Sequence, residues 1–119
     1  MSDPRKTEVA RAMPRPTAQV APYVEVLGAE LAVTFLLSYG GAELYLANDP
    51  KGRASHEAMM GHDKAKALAA HPGLQRRIPL AKRWLAAMLD RQGNSTAAIA
   101  RQIRVSDVSV RRWLKEWRE

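Results

Sequence analysis

The stretch Thr96–Lys115, TAAIARQIRVSDVSVRRWLK, limits what this chain can fold into more than any other part of it. Its apolar residues recur three and four apart in two short runs. The first holds Ile99, Ala100 and Ile103, and the second Val110, Trp113 and Leu114, continuing to Trp117. Residues so spaced are neighbours on a helix, so each run predicts a helix with one apolar face. Only Arg104-Val105-Ser106 lies between them, a connection short enough to press the two apolar faces together. Ala100 is small and lets the helices approach closely, and Val105 is placed to plug the corner. Ser106 stands at an N-cap position, and Asp107 puts a negative charge on the first turn, where the helix dipole favours it.

The far side of the second helix carries Asp107, Val108, Arg111, Arg112, Lys115 and Arg118. One side is therefore apolar and the other mostly cationic. This is the pattern of a helix-turn-helix, whose second helix enters the DNA major groove. An ordinary amphipathic helix pair with a solvated basic face is the plainer alternative. Arg104 occupies the turn position that such motifs often give to Gly, although positive φ is uncommon for a residue with a Cβ.

Charge supports the DNA reading. The chain of 119 residues has a formal net charge of +7, and all of that excess lies in residues 74–119, with eleven Lys and Arg against four Asp and Glu. Residues 1–73 balance at eight against eight. Segregation of this kind points to a polyanion partner for the C-terminal part, since solubility alone would not require it. There is no Cys, which excludes disulfides, thiol nucleophiles and Cys-ligated zinc. No apolar run reaches the roughly 18 residues of a membrane span. No apolar signal core follows Met1-Ser2-Asp3-Pro4-Arg5-Lys6, so we expect a cytoplasmic protein with no membrane partner. No phosphate-cradling glycine loop, nucleophile–base pair or carboxylate cluster suggests an enzyme, and we expect no cofactor.

Taken in order, residues 1–20 read as a flexible basic arm punctuated by Pro4, Pro14 and Pro16. A helix is predicted from Pro22 to Tyr39, with Val24, Leu27, Leu31, Phe35 and Ser38 on one stripe and Val33, Leu36 and Leu37 widening it. A helix this apolar needs cover from several sides. Other helices of the same chain are one source, and a second copy, which we favour, is the other. Gly40-Gly41 ends it. Leu44 and Leu46 then alternate with Glu43, Tyr45 and Ala47, predicting a short strand over 42–47 that pairs with its own copy. Asn48-Asp49-Pro50-Lys51-Gly52 is a turn.

Two short helical pieces follow between Ala54 and His71, with Ser55 as a cap, Ala58, Met59 and Met60 inward in the first, and Ala65, Leu68 and Ala69 inward in the second. His56, His62 and His71 are spaced six and nine apart, unlike the one-turn pairs of metal sites, so solvated histidines are expected and no metal. A last supporting helix is predicted over 80–91, with Pro79 in its first turn. Leu80, Trp84, Leu85 and Met88 point inward, while Lys82, Arg83, Asp90 and Arg91 face outward. Trp84 is expected to pack on Trp113. Gly93 ends this helix, and Asn94-Ser95 caps the next.

The run Ser38-Tyr39-Gly40-Gly41-Ala42-Glu43-Leu44-Tyr45-Leu46, followed later by a helix-turn-helix, resembles the Mor-type transcription activators of Mu-like phages. The resemblance covers about Val26 to the C-terminus, although Ala47 stands where that family often has Pro. It implies a homodimer built on the N-terminal half, with two DNA-binding helices reading a dyad-symmetric promoter site.

The expected architecture is thus mostly α. Residues 21–73 form a helix-strand-helix dimerisation region through Leu27, Leu31, Phe35, Leu44, Tyr45 and Leu46. Residues 74–119 form a three-helix helix-turn-helix DNA-binding domain. Its base-reading candidates are Ser106, Asp107, Val108, Ser109, Arg111, Arg112 and Lys115. Its phosphate-contact candidates are Arg76, Arg77, Lys82, Arg83, Ser95, Thr96, Arg101, Arg104 and Arg118. The expected function is a homodimeric, sequence-specific transcription regulator of double-stranded DNA, most simply an activator that touches RNA polymerase. A DNA-site-marking adaptor in phage packaging or recombination is the alternative, and a protein-interaction module with an acidic partner a more distant third.

Overall fold

The computed structural model describes residues 13–44, 46–47, 51 and 54–118, the last of them by its backbone alone. The chain divides into two compact units. One is Pro16–Ala81, and the other joins Lys82–Glu119 to the segment ending at Arg15. The sequence reading placed this boundary earlier, at residue 74. Seven helices and no sheet lie among the described residues. None of these helices is long and apolar enough to cross a membrane.

In the unit Pro16–Ala81 the expected single helix from Pro22 to Tyr39 is two helices, α1 (Ala21–Leu27) and α2 (Ala29–Tyr39). Gly28 between them has φ 82° and ψ 158°, a conformation closed to residues with a Cβ. Its N–H caps α1 by donating to Val24 O at 2.9 Å, and its carbonyl starts α2 by accepting from Ala32 N at 2.9 Å. The break lets both helices turn apolar sides inward. Val20, Tyr23 and Leu27 are buried on one side of it, and Ala32, Val33, Phe35 and Leu36 on the other. Two further helices, α3 (Ser55–Met60) and α4 (His62–Ala69), complete the set, with α4 packed on α1 and α3 touching α2. Met60, Ala65, Leu68 and Ile78 close the core. Of the described residues of the expected arm, Pro14, which belongs to the other unit, and Val20 are buried, Pro16 is half-buried and the rest are exposed, and Thr17 O accepts from Val20 N at 3.0 Å.

The strand expected over 42–47 is absent among the described residues. In its place is one antiparallel bridge between Glu43 and Arg77. Gly41 N donates to Ile78 O at 2.7 Å and Ile78 N to Ala42 O at 2.8 Å, so the backbone finds its partner in its own chain. Arg77 strengthens the join, donating to Gly41 O at 2.8 Å and pairing with Glu43 at 3.0 Å. Gly40 permits the approach, because a Cβ there would lie 2.7 Å from Leu36 O and 3.1 Å from Pro79 O. The expected turn at Asn48-Asp49-Pro50-Lys51-Gly52 falls largely outside the described residues, as does Tyr45.

Two of the histidines are structural, not solvated. His56 is buried edge-on to Tyr39, at the end of an aromatic series in which Tyr23, Phe35 and Tyr39 follow one another at 5.6 and 5.1 Å. His71 Nδ1 accepts from Gly73 N at 2.9 Å, which puts the ring proton on Nε2, 2.7 Å from Glu25 Oε2. Only His62 is exposed. Ser55 does not cap α3; Ala54 holds that position, and the Ser55 hydroxyl lies 2.6 Å from that of Tyr39. On α3 the buried residues are His56, Glu57 and Met60, while Ala58 faces out.

The second unit is a three-helix arrangement in which α5 (Lys82–Arg91), α6 (Thr96–Ile103) and α7 (Asp107–Arg118) all pack on one another. Trp84, Leu85 and Met88 are buried as expected, with Ala86, Ala87 and Leu89. Ile99, Ile103, Val110 and Leu114 meet them from α6 and α7. Leu80 is not part of this core. The helix starts two residues later than predicted, Ala81 has φ 55°, and Leu80 is 54% exposed. The two tryptophans also have separate partners. Trp84 donates its indole N–H to Pro14 O, and Trp113 lies under the guanidinium of Arg83, 5.5 Å from the ring centroid.

Candidate nucleic-acid interface

Local chemistry sets the geometry from Ser95 onward. Ser95 is extended, at φ −71° and ψ 159°, and its Oγ accepts from Ala98 N at 3.1 Å, which caps α6. Asn94 ties the preceding turn to this helix. Its side chain donates to Leu89 O at 3.0 Å and accepts from Gln102 at 3.2 Å. At the far end Arg104 takes the left-handed conformation, φ 57° and ψ 51°, that Gly usually supplies at such a turn. Val105 N donates to Ala100 O at 3.1 Å, and the Val105 side chain sits half-buried in the corner. Ser106 then opens α7. Its Oγ accepts from Ser109 N at 3.1 Å and donates to Ser109 Oγ at 3.1 Å.

Val110 and Leu114 hold α7 against the other two helices, with Trp113 and Trp117 half-buried beside them. That orientation leaves Val108, Arg111, Arg112 and Lys115 exposed. They lie at i, i+3, i+4 and i+7, so they form one stripe along the helix. Val108 is 63% exposed. Asp107 is exposed too, with Oδ2 2.6 Å from Arg111 Nη2. The remaining base-reading candidates are otherwise engaged. The Ser106 hydroxyl is a cap, and Ser109 is half-buried with its own hydroxyl bound to it.

The phosphate candidates divide more sharply. Arg101 and Arg104 are exposed on α6 and its turn, Ser95 is exposed with its hydroxyl in the cap, and Thr96 is half-buried. Lys82 is half-buried, and Arg83 is exposed above Trp113. Arg76 and Arg77 belong to the other unit, where Arg77 braces the Glu43 bridge. The Arg118 side chain lies outside the described residues. Among the dimerisation candidates, Leu27 and Phe35 are consumed by the core of their own unit and offer no surface to a second copy. Leu31, Leu44 and Leu46 are half-buried.

Two contacts were beyond sequence reasoning. Arg83–Trp113 and Trp84–Pro14 join residues far apart in the chain, and no spacing rule connects them. The first bears on the interface, since it fixes a cation of α5 against α7.

Comparison with known proteins agrees with this geometry. No curated protein and no solved structure gave a match. A family model does match residues 78–119, that of the homeodomain-like domain. The match covers all three helices of the second unit and supports the helix-turn-helix part of the resemblance to Mor-type activators. The C-terminal part of the chain is therefore a homeodomain-like helix-turn-helix domain, the kind of fold that binds DNA.

Proposed function

We propose that the protein is a sequence-specific transcription regulator that lays α7 in the major groove of duplex DNA. The exposed stripe Val108, Arg111, Arg112 and Lys115 carries this reading, because Val110 and Leu114 on the opposite side leave α7 no other way to face. Arg111 and Arg112 are of a type that bridges O6 and N7 of guanine, and Val108 suits a thymine methyl. Arg83, Arg101 and Arg104 supply phosphate contacts that set position and carry no sequence information.

The resemblance to phage activators supports a homodimer on a dyad-symmetric promoter site, with half-sites about one helical turn apart. Leu31, Leu44 and Leu46 are the half-buried residues best placed to serve a second copy. Contact with RNA polymerase belongs to the same reading. A site-marking adaptor would use the same interface, and a larger ring in place of a dimer would favour it.

The test is binding-site selection with the full chain, followed by a salt titration on the selected duplex and on a random one. We expect a selected site and a negative slope of log affinity against log salt of about four to six, one unit or slightly less for each neutralised phosphate. Arg112→Ala should cost about 1–3 kcal/mol on the selected site and relax one base position. Absence of any salt-sensitive duplex binding would overturn the proposal.

A further inference from the structure

We infer that Asp107 and Arg111 act together as one reading group, in which the carboxylate aims the guanidinium at a guanine and lowers affinity for unselected DNA. The inference rests on the placement of α7 in the major groove and deepens it by naming what sets discrimination.

The geometry comes first. Arg111 Nη2 lies 2.6 Å from Asp107 Oδ2, and Arg111 Nε points to the Asp107 carbonyl at 3.5 Å. Both contacts use the Nε–Nη2 edge of the guanidinium. The outer edge, formed by Nη1 and the second N–H of Nη2, faces away from them. That edge has two parallel donors, which is what O6 and N7 of guanine accept. A free Arg side chain has many rotamers to lose, and a fork already held by its neighbour loses fewer of them on docking.

The electrostatics give Asp107 a second effect. It is one of two exposed acids of α7, with Glu116, that flank the stripe of Val108, Arg111, Arg112 and Lys115, and it is the one paired to Arg111, set beside a polyanion. Helix support, from the dipole at the first turn and from the pair itself, accounts for part of its presence. The pair is exposed, and such i,i+4 pairs contribute little to helix stability. The start of α7 is already capped by Ser106. Against phosphate the carboxylate is repulsive wherever it stands. Against bases it repels the acceptors of guanine and accepts only from donors such as cytosine N4. Specificity is a difference of affinities, and a repulsive group that is relieved only at the right sequence increases that difference.

The experiment compares the full-length wild type with Asp107→Asn, Arg111→Ala, Arg111→Lys and the Asp107→Asn/Arg111→Ala double variant. Each is measured on the selected duplex, on versions with one base pair changed, and on random duplex. Asp107→Asn should bind random duplex several-fold more tightly and lose roughly tenfold of its preference for guanine at one position. Arg111→Ala should lose preference at that same position, and the double variant should lose no more than Arg111→Ala alone. Arg111→Lys should keep the salt slope and lose the guanine preference, because an ammonium cannot present a fork. Full guanine preference in Asp107→Asn, with Arg111→Ala still defective, would overturn the pairing while leaving α7 as the reading helix. A wild type that selects no sequence would overturn both.

Discussion

The indole N–H of Trp84 donates to the carbonyl of Pro14 at 3.1 Å, across 70 positions of chain. Both residues are buried, so a segment expected to be a loose arm is tied to the first helix of the DNA-binding unit. Trp84→Phe keeps an aromatic ring and removes the donor, leaving a buried carbonyl unpaired. We expect a loss of about 1–3 kcal/mol, read as a lower denaturant midpoint with unchanged slope. An unchanged midpoint would show that the bond contributes nothing net.

Arg104 holds a left-handed conformation that costs a residue with a Cβ roughly 1–2 kcal/mol. Arg104→Gly removes that cost but adds about 0.5–1 kcal/mol of chain entropy in the unfolded state. Stability should therefore hold or rise slightly, while the salt slope of DNA binding falls by about one unit per protomer, or about two for the proposed dimer. Arg104→Val should be destabilising, since a β-branched residue at positive φ is strained. Thermal unfolding of the two variants separates backbone strain from the loss of a cation.

Burial pushes the Tyr23 hydroxyl up from its ordinary value of 10.0 to about 12, and no described residue partners its oxygen. The folded state thus holds the proton more tightly than the unfolded chain. Its contribution to stability is complete below pH 10 and is lost as the pH rises from 10 to about 12. Tyr23→Phe should abolish that loss. At pH 7 it should be neutral or slightly stabilising, because it removes a buried group that lacks a partner. Denaturant titrations at neutral and alkaline pH would read both effects.

Arg77 braces the Glu43 bridge inside Pro16–Ala81, although its sequence context suggested a phosphate contact. Arg77→Ala should lower the stability of that unit by about 1 kcal/mol, a modest figure because both partners of the ion pair are largely exposed. The salt slope of DNA binding should not change. A slope reduced by about one unit per protomer would return Arg77 to the DNA interface.

Dimerisation through α2 has its own test. Leu31 is half-buried, unlike Leu27 and Phe35, so Leu31→Lys keeps most of the core. We expect a monomer by light scattering and weaker binding to a paired site, with binding to a single half-site retained. An unchanged dimer mass would place the seam elsewhere.

The helix-turn-helix was legible because its signals are local. Ile99 and Ile103 face Val110 and Leu114 by spacing alone, and the caps at Ser95 and Ser106 occupy the positions their side chains favour. The exposed stripe of α7 followed from the same periodicity. The N-terminal half was less legible. Its apolar residues are dense enough to satisfy one long helix or two, and only the conformation of Gly28 decides between them. The alternation around Leu44 carried a strand signal, yet a strand requires a partner, and the partner offered was two residues, Arg77 and Ile78.

Periodicity, capping and the placement of charge, all read within a few residues, determined three helices and an exposed cationic face in residues 82–118. Tertiary structure decided which side chains that face still has to offer. It committed Arg77 to a brace, set Arg83 over Trp113 and tied Trp84 to Pro14, beside the helix-local pair of Arg111 with Asp107. Apart from the last, a contact one helical turn long, these depend on which distant residues the packed chain brings within reach, and no local pattern encodes that. The Asp107–Arg111 contact is local to the helix, and the core decided only that it faces outward, since Val110 and Leu114 are buried.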